Sequence, residues 1–266
     1  MAQDKIKVWR TVKRGFLFPI NQPGGILKIV AVPTAAWLLL SLALAVVLLP
    51  GDAAARESLS TWILILCFPI YVPAMARAYR LILLREKAEH VTFGDYADRR
   101  TIRLFAASLL LVAVIGACVM FVILPSVFLG AALGGEKAAA LTILPAVLLA
   151  VLLAFTLVAR YVLVLPNVAV GSPLKLREVV RLGRGNRLRI VWISLLVQLP
   201  FHIVDPLASA AIHAGSAMNF LPISFLAFSA ICAGAVQIHA QSDMYRELLI
   251  MEKLRRDEAA ETAAPI

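Results

Sequence analysis

The sequence predicts an all-α polytopic membrane protein, with six transmembrane helices set as three hairpins and amphipathic helices joining them in the cytoplasmic interface. Three observations predict it. Hydrophobic residues make up 61% of the 266, against roughly 45 to 50% in soluble domains. Six apolar runs, near 26–49, 60–82, 103–129, 138–165, 188–211 and 220–242, each match the roughly 20 helical residues needed to cross about 30 Å of hydrocarbon. Lysine and arginine concentrate on alternate connections, as the positive-inside rule requires. The alternating short strands of a membrane barrel are absent from the sequence, and lipid admits only helices or closed barrels.

In order along the chain, residues 1–25 form a cytoplasmic amphipathic segment, 26–242 the transmembrane domain and 243–266 a cytoplasmic helical tail. In KIKVWRTVKRGF, Val8, Trp9, Val12 and Phe16 share one helical arc, with Lys7, Arg10 and Arg14 opposite, so this helix should lie at the headgroups. Ala53-Ala54-Ala55 after the first apolar run resembles a signal cleavage site. That run, however, exceeds the roughly 7 to 15 residues of a signal h-region, which predicts an uncleaved anchor.

The basic residues sort by side. Lys5, Lys7, Arg10, Lys13 and Arg14 precede span one; Arg85, Lys87, Arg99, Arg100 and Arg103 follow span two. Lys175, Arg177, Arg181, Arg184, Arg187 and Arg189 follow span four, and Arg246, Lys253, Arg255 and Arg256 follow span six, while the other connections hold only Arg56 and Lys137. Both termini are therefore expected in the cytoplasm. The net charge of +10 belongs to one face and lacks the interleaved aromatic platform of a nucleic-acid surface, so no nucleic-acid partner is expected. The expected partners are anionic membrane lipids, with a membrane-protein partner or a second copy also compatible. Cys67, Cys118 and Cys232 stand singly in apolar runs, with no C-x-x-C pair for a metal or disulfide. No cofactor or metal site is expected.

The chain repeats itself weakly. AYRLILLREK (Ala78 to Lys87) and MYRELLIMEK (Met244 to Lys253) share Tyr, Arg, Leu, Glu and Lys at an offset of 166 residues. Half that offset, 83, carries Arg77 to Arg160, where MARAYRLIL and VARYVLVLP share Ala-Arg before an aromatic and an aliphatic run. Three helical hairpins fit this period.

Local signals place the cytoplasmic helices. Thr92 and Asp95 have capping-box spacing. Ser172 is the expected N-cap of a second short helix, with Pro173 at N1 and Gly183 as its stop. Leu176, Val179, Val180 and Leu182 then share one side, while Arg177, Glu178, Arg181 and Arg184 take the other, which predicts a helix in the interface plane. Arg160 either snorkels to the headgroups or pairs with Asp95 or Glu178.

Arg160, Leu165-Pro166 and a short amphipathic segment ending in glycine, together with Tyr245-Arg246-Glu247-Leu248 closing span six, carry a resemblance. The chain resembles bacterial six-helix membrane families related to the membrane domain of glycerophosphoryl diester phosphodiesterases, including YciC-type proteins. The resemblance implies a six-helix bundle in the bacterial inner membrane. It does not imply hydrolysis, because the fused relatives carry that activity on a separate soluble barrel, for which this chain has no room. An acidic residue common in the family shortly after Leu-Pro is replaced around Gly171 and Ser172.

Polar residues inside spans are the remaining candidates. Gln198, His202, Asp205, Ser209 and His213 recur at helical spacing, the pattern of a polar pathway. Against this, Asp205-Pro206 reads as an N-cap and N1 pair that would break the helix near Val204. Gln237, His239, Gln241 and Asp243 read as interfacial. Ala230 and Gly234 are the small pair best placed for close helix approach, while Gly130 and Gly134 flank an outer loop. The residues expected to meet lipid or a partner are Arg10, Arg14, Arg77, Arg160, Arg177, Arg181 and Arg184; those of a polar pathway are Gln198, His202 and Asp205. With no reaction chemistry in view, the sequence predicts a non-enzymatic structural or partner-binding subunit that contacts anionic lipid. The alternative is a small transporter or channel using the His202 and Asp205 region.

Overall fold

A computed structural model describes the backbone of residues 5–48, 53–132, 136–213 and 220–263, and their side chains except at 37, 40–48, 53–67, 130–131, 136–141, 204–213, 220–228 and 258–263. Among these residues the chain is all-helical. The helices are α1 (Val8–Asn21), α2 (Pro23–Leu48), α3 (Ala53–Leu84), α4 (Phe93–Ala97), α5 (Arg99–Ala132), α6 (Glu136–Tyr161), α7 (Val164–Ala169), α8 (Leu176–Leu182), α9 (Arg187–His213) and α10 (Phe220–Ala263).

Among the described residues two stretches, Arg99–Leu129 and Thr142–Ala169, are long and apolar enough to cross a membrane, and a third is if α1 and the first half of α2, bent by 77°, count as one span. Their large side chains point outward, as at Phe121 and Phe128, which are 81% and 72% exposed. An apolar surface of that extent calls for lipid rather than water. The other predicted runs lie in α2, α3, α9 and α10, much of whose side-chain range is outside the described residues.

Consecutive long helices pack in pairs, α2 on α3, α5 on α6 and α9 on α10, and α1 closes against both α9 and α10. Among the described side chains the buried clusters lie at the end of these pairs where the short helices sit. One cluster joins Ile6, Val12, Leu163, Val179, Ile190, Ile193, Met244 and Tyr245. A second joins Val72, Tyr79, Leu104, Leu165 and Ala169. Each such side chain removed from water contributes about 1.5 to 3 kcal/mol, so the short helices are anchored by their apolar faces.

Several local expectations are corrected. The fourth long helix stops at Tyr161, before Leu165-Pro166, which fall inside the buried α7. Pro166 has no N–H, and its ring conflicts with a helical carbonyl at Val162; the chain turns there first. The second short helix starts three residues after Ser172, with Lys175 at N-cap. Ser172 is occupied by a turn: its amide donates to the Asn167 carbonyl at 3.1 Å and its hydroxyl accepts the Leu174 amide at 3.4 Å. Gly183 does end that helix. α9 continues unbroken through Asp205-Pro206 to His213, so no new helix is capped there.

α10 likewise runs past 243 without interruption, making the tail a continuation of the last long helix. On α1 the buried side is Thr11, Val12, Gly15 and Phe18, packed on protein, while Trp9 is 73% exposed. Gly15 is the close-approach residue: a Cβ there would meet the Val236 side chain and carbonyl at 3.3 Å. Around Gly234 a Cβ would meet nothing within 4 Å, and Ala230 is exposed. Gly134 lies outside the described residues, Gly130 is described only as backbone within α5, and the side chain of Cys67 is outside them.

Candidate functional site: the charged end of the helix bundle

The short helices meet charged residues of the long helices at this end, and their starts explain how they are held. In α4 the Asp95 carboxylate accepts the Thr92 amide at 2.6 Å and the Thr92 hydroxyl at 2.9 Å. In α8 the Glu178 carboxylate accepts the Lys175 amide at 3.0 Å. Each acid thus reaches back from N3 to a free donor at the helix start.

Asp95 is also gripped from α3, where Arg77 Nε and Nη2 donate to its two oxygens, both at 2.9 Å, and Arg77 Nη1 reaches Glu89 at 3.3 Å. One turn along, Arg80 pairs with Asp98 and donates Nε to the Ala169 carbonyl at 3.2 Å. Asp98 in turn accepts the Arg100 amide at 3.1 Å and so caps α5. Burial pushes the Asp95 carboxyl up, but its hydrogen bonds from Arg77 and Thr92 outweigh that and hold it below the usual carboxylate range. Asp98 is lowered in the same way, the Arg100 amide and Arg80 overcoming its desolvation.

Where α1 meets α10 the charges are reversed. Arg10 and Arg14 of α1 pair with Glu247 and Asp243 of α10, the second at 3.4 Å. Arg10, Arg14 and Arg77, expected at a lipid or partner surface, are therefore engaged within the chain. Arg160, Arg177, Arg181 and Arg184 are exposed and have no ion-pair partner among the described residues. Arg160 pairs with neither Asp95 nor Glu178, whose carboxylates are taken by Arg77 and by the Lys175 amide.

In the middle of α10, Gln241 and Asp243 are buried in protein rather than set at an interface, while Gln237 and His239 are half-buried. Gln241 and Asp243 are 5% and 4% exposed. The Tyr79 hydroxyl donates to Gln241, and the Tyr245 hydroxyl donates to Asn167 Oδ1 at 2.8 Å. Gln198 Nε2 approaches Gln237 at 3.5 Å, whereas His202 is exposed. The side chains of Asp205, Ser209 and His213 lie outside the described residues. Among the described residues no three His, Cys, Asp or Glu side chains are grouped to hold a metal.

Sequence reasoning missed the tie formed by Ile6, Asn186 and Arg189: the Ile6 amide donates to Asn186 Oδ1 at 3.2 Å, and Arg189 donates to the Ile6 carbonyl at 2.7 Å. Only the apolar side chain of Ile6 beside a lysine-rich start hinted at it. Gly171 has φ +67°, and a Cβ there would meet Arg100 Nε at 3.1 Å. A left-handed backbone beside an arginine favours glycine. Comparison of the chain with protein-family models, with curated proteins and with solved structures finds no significant match.

Proposed function

We propose that this chain is a six-span bacterial inner-membrane protein with both termini cytoplasmic, working as a non-enzymatic structural or partner-binding subunit whose basic face meets anionic lipid. The observation that carries the reading is the exposed, unpaired set Arg177, Arg181 and Arg184 on and just after α8. Val179 anchors that helix in the core, while Leu176, 54% exposed, is free to enter the acyl boundary. Basic residues so placed contribute about 1 kcal/mol each toward an anionic surface.

The threefold hairpin arrangement belongs to the same proposal. Asp95 and Glu178 stand 83 residues apart, the repeat interval of the sequence, and each holds the amide at the start of its short helix. α1 precedes α2 as α4 precedes α5 and α8 precedes α9, which makes it the third joint. The YciC-type resemblance fits this architecture and adds no activity.

Mass spectrometry of lipids and proteins retained after mild extraction tests the role. Enrichment of phosphatidylglycerol over its membrane abundance, lost in the Arg177→Ala/Arg181→Ala/Arg184→Ala variant, is expected; equal retention by that variant overturns the lipid contact. A stable co-purifying protein would identify the partner. For topology, alkaline phosphatase fused after Arg184 should be inactive and fused after Ala214 active.

The transporter reading keeps one support, the unbroken α9, which sets Gln198, His202 and Asp205 on a single helix. Proton-coupled transport in proteoliposomes that fails in Asp205→Asn would favour it.

A further inference from the structure

The cleft between α1, the end of α3 and α10 has the chemistry of a phosphate site, and we infer that it binds a phosphate-bearing anion, either the headgroup of a membrane lipid or free phosphate. It is an open cleft of about 410 Å³, with Gln22, Arg85, His239 and Arg246 among its polar lining and Phe18 and Leu81 among its apolar lining. That is room for a phosphate and the small polar group esterified to it.

Two features mark the cleft as more than a gap between helices. Arg246 donates to the Ile82 carbonyl, one of the last carbonyls of α3. This contact ties the guanidinium to the cleft wall while using one of its five N–H donors. Arg85 has φ +57°, a left-handed conformation in which a helix normally ends on glycine or asparagine. An arginine kept in that costly backbone state, at the mouth of a cleft with a second arginine, points to a use for its charge. Among the described residues Arg85 has no ion pair. Glu86 is the one acid that lines the cleft among those residues, leaving the arginines in excess.

Two cations with planar donor arrays suit a phosphate better than a neutral polar group, because charge-assisted bonds to phosphate oxygens are short and strong. The apolar side supplies the rest of a lipid's requirement. The Phe18 ring packs tilted against His239 with ring centroids 4.7 Å apart, and the chain bends by 77° between α1 and α2 beside Gln22. Ile20 and Leu27, on either side of that bend in the chain, are 71% and 70% exposed and so available to an acyl chain. The inference rests on the proposed lipid contact only for the lipid source; free phosphate would use the same donors.

The test uses the full chain in a neutral detergent, titrated with phosphatidylglycerol, phosphatidylcholine or inorganic phosphate and read by native mass spectrometry and thermal shift. One phosphatidylglycerol should be held in preference to phosphatidylcholine, with Arg85→Ala weakening it about tenfold, the loss of one charge-assisted contact. Glu86→Gln should tighten it. Equal protection by inorganic phosphate, weakened by the same Arg85→Ala change, supports the site with free phosphate as its occupant. Arg85 is exposed, so its removal leaves folding intact. Arg85→Ala binding both lipid and phosphate like the wild type overturns the cleft, as does a wild type that binds neither. If Arg85→Ala alone is neutral while the α8 triple variant loses lipid, the cleft falls and the proposed lipid face stands. The opposite pattern upholds the cleft and removes the α8 face.

Discussion

The α4 and α8 joints are built alike at their starts and differ in what becomes of their arginines. Both hold the amide before the helix with an acid at N3. At α4 the cations come from the preceding long helix, Arg77 and Arg80 closing on Asp95 and Asp98. At α8 they stand on and beyond the short helix itself and face outward as Arg177, Arg181 and Arg184. The same excess of basic residues can thus serve as internal fastening at one joint and as free surface charge at another. Counting basic residues in a loop does not separate the two.

Removing Arg77 should break this contrast most. Arg77→Ala leaves Asp95, 9% exposed, without its bidentate partner, and should cost about 3 kcal/mol, read as a fall in unfolding midpoint in detergent. The pair also predicts an acid limb. Because Asp95 and Asp98 titrate below their ordinary range when folded, their stabilisation is complete above about pH 4 and is lost as pH falls through the lowered values. Asp95→Asn should flatten that limb; an unchanged acid midpoint would mean that the pair does not fasten the joint.

The next effect is at the α1 joint. Gly15→Val forces a branched side chain against Val236 and should cost about 2 kcal/mol, with increased proteolysis of the first helix as the second readout. Tyr245→Phe should be milder, about 1 kcal/mol, since it removes one buried hydrogen bond and leaves Asn167 Oδ1 without that donor. Smallest is Arg177→Ala, within about 0.5 kcal/mol. A destabilisation as large as that of Arg77→Ala would erase the distinction between the two joints.

Much of the fold was legible because its signals are local. Apolar run length marked the long helices, Thr92 and Asp95 gave the start of α4, and Gly183 gave the end of α8. Errors came where one local signal competed with another. Ser172-Pro173 resembles a cap, yet Glu178 fixes the start at Lys175. Asp205-Pro206 resembles a break, yet the helix continues. The charged site was less legible, since Arg10, Arg77 and Arg177 look alike in a sequence and differ only in what stands opposite. The buried pairs of Tyr79 with Gln241 and Tyr245 with Asn167 span 162 and 78 residues, beyond any spacing rule.

By itself the sequence determined the lipid-suited helical class and the gathering of positive charge in a few segments, because hydropathy and charge are properties of each residue and its near neighbours. Tertiary structure decided which charges are free. Pairing requires two side chains to meet from different helices, and the register that brings Arg77 to Asp95, or Arg14 to Asp243, is set by how apolar faces pack against one another. That packing also joined Arg85 and Arg246, distant in the chain, at one cleft.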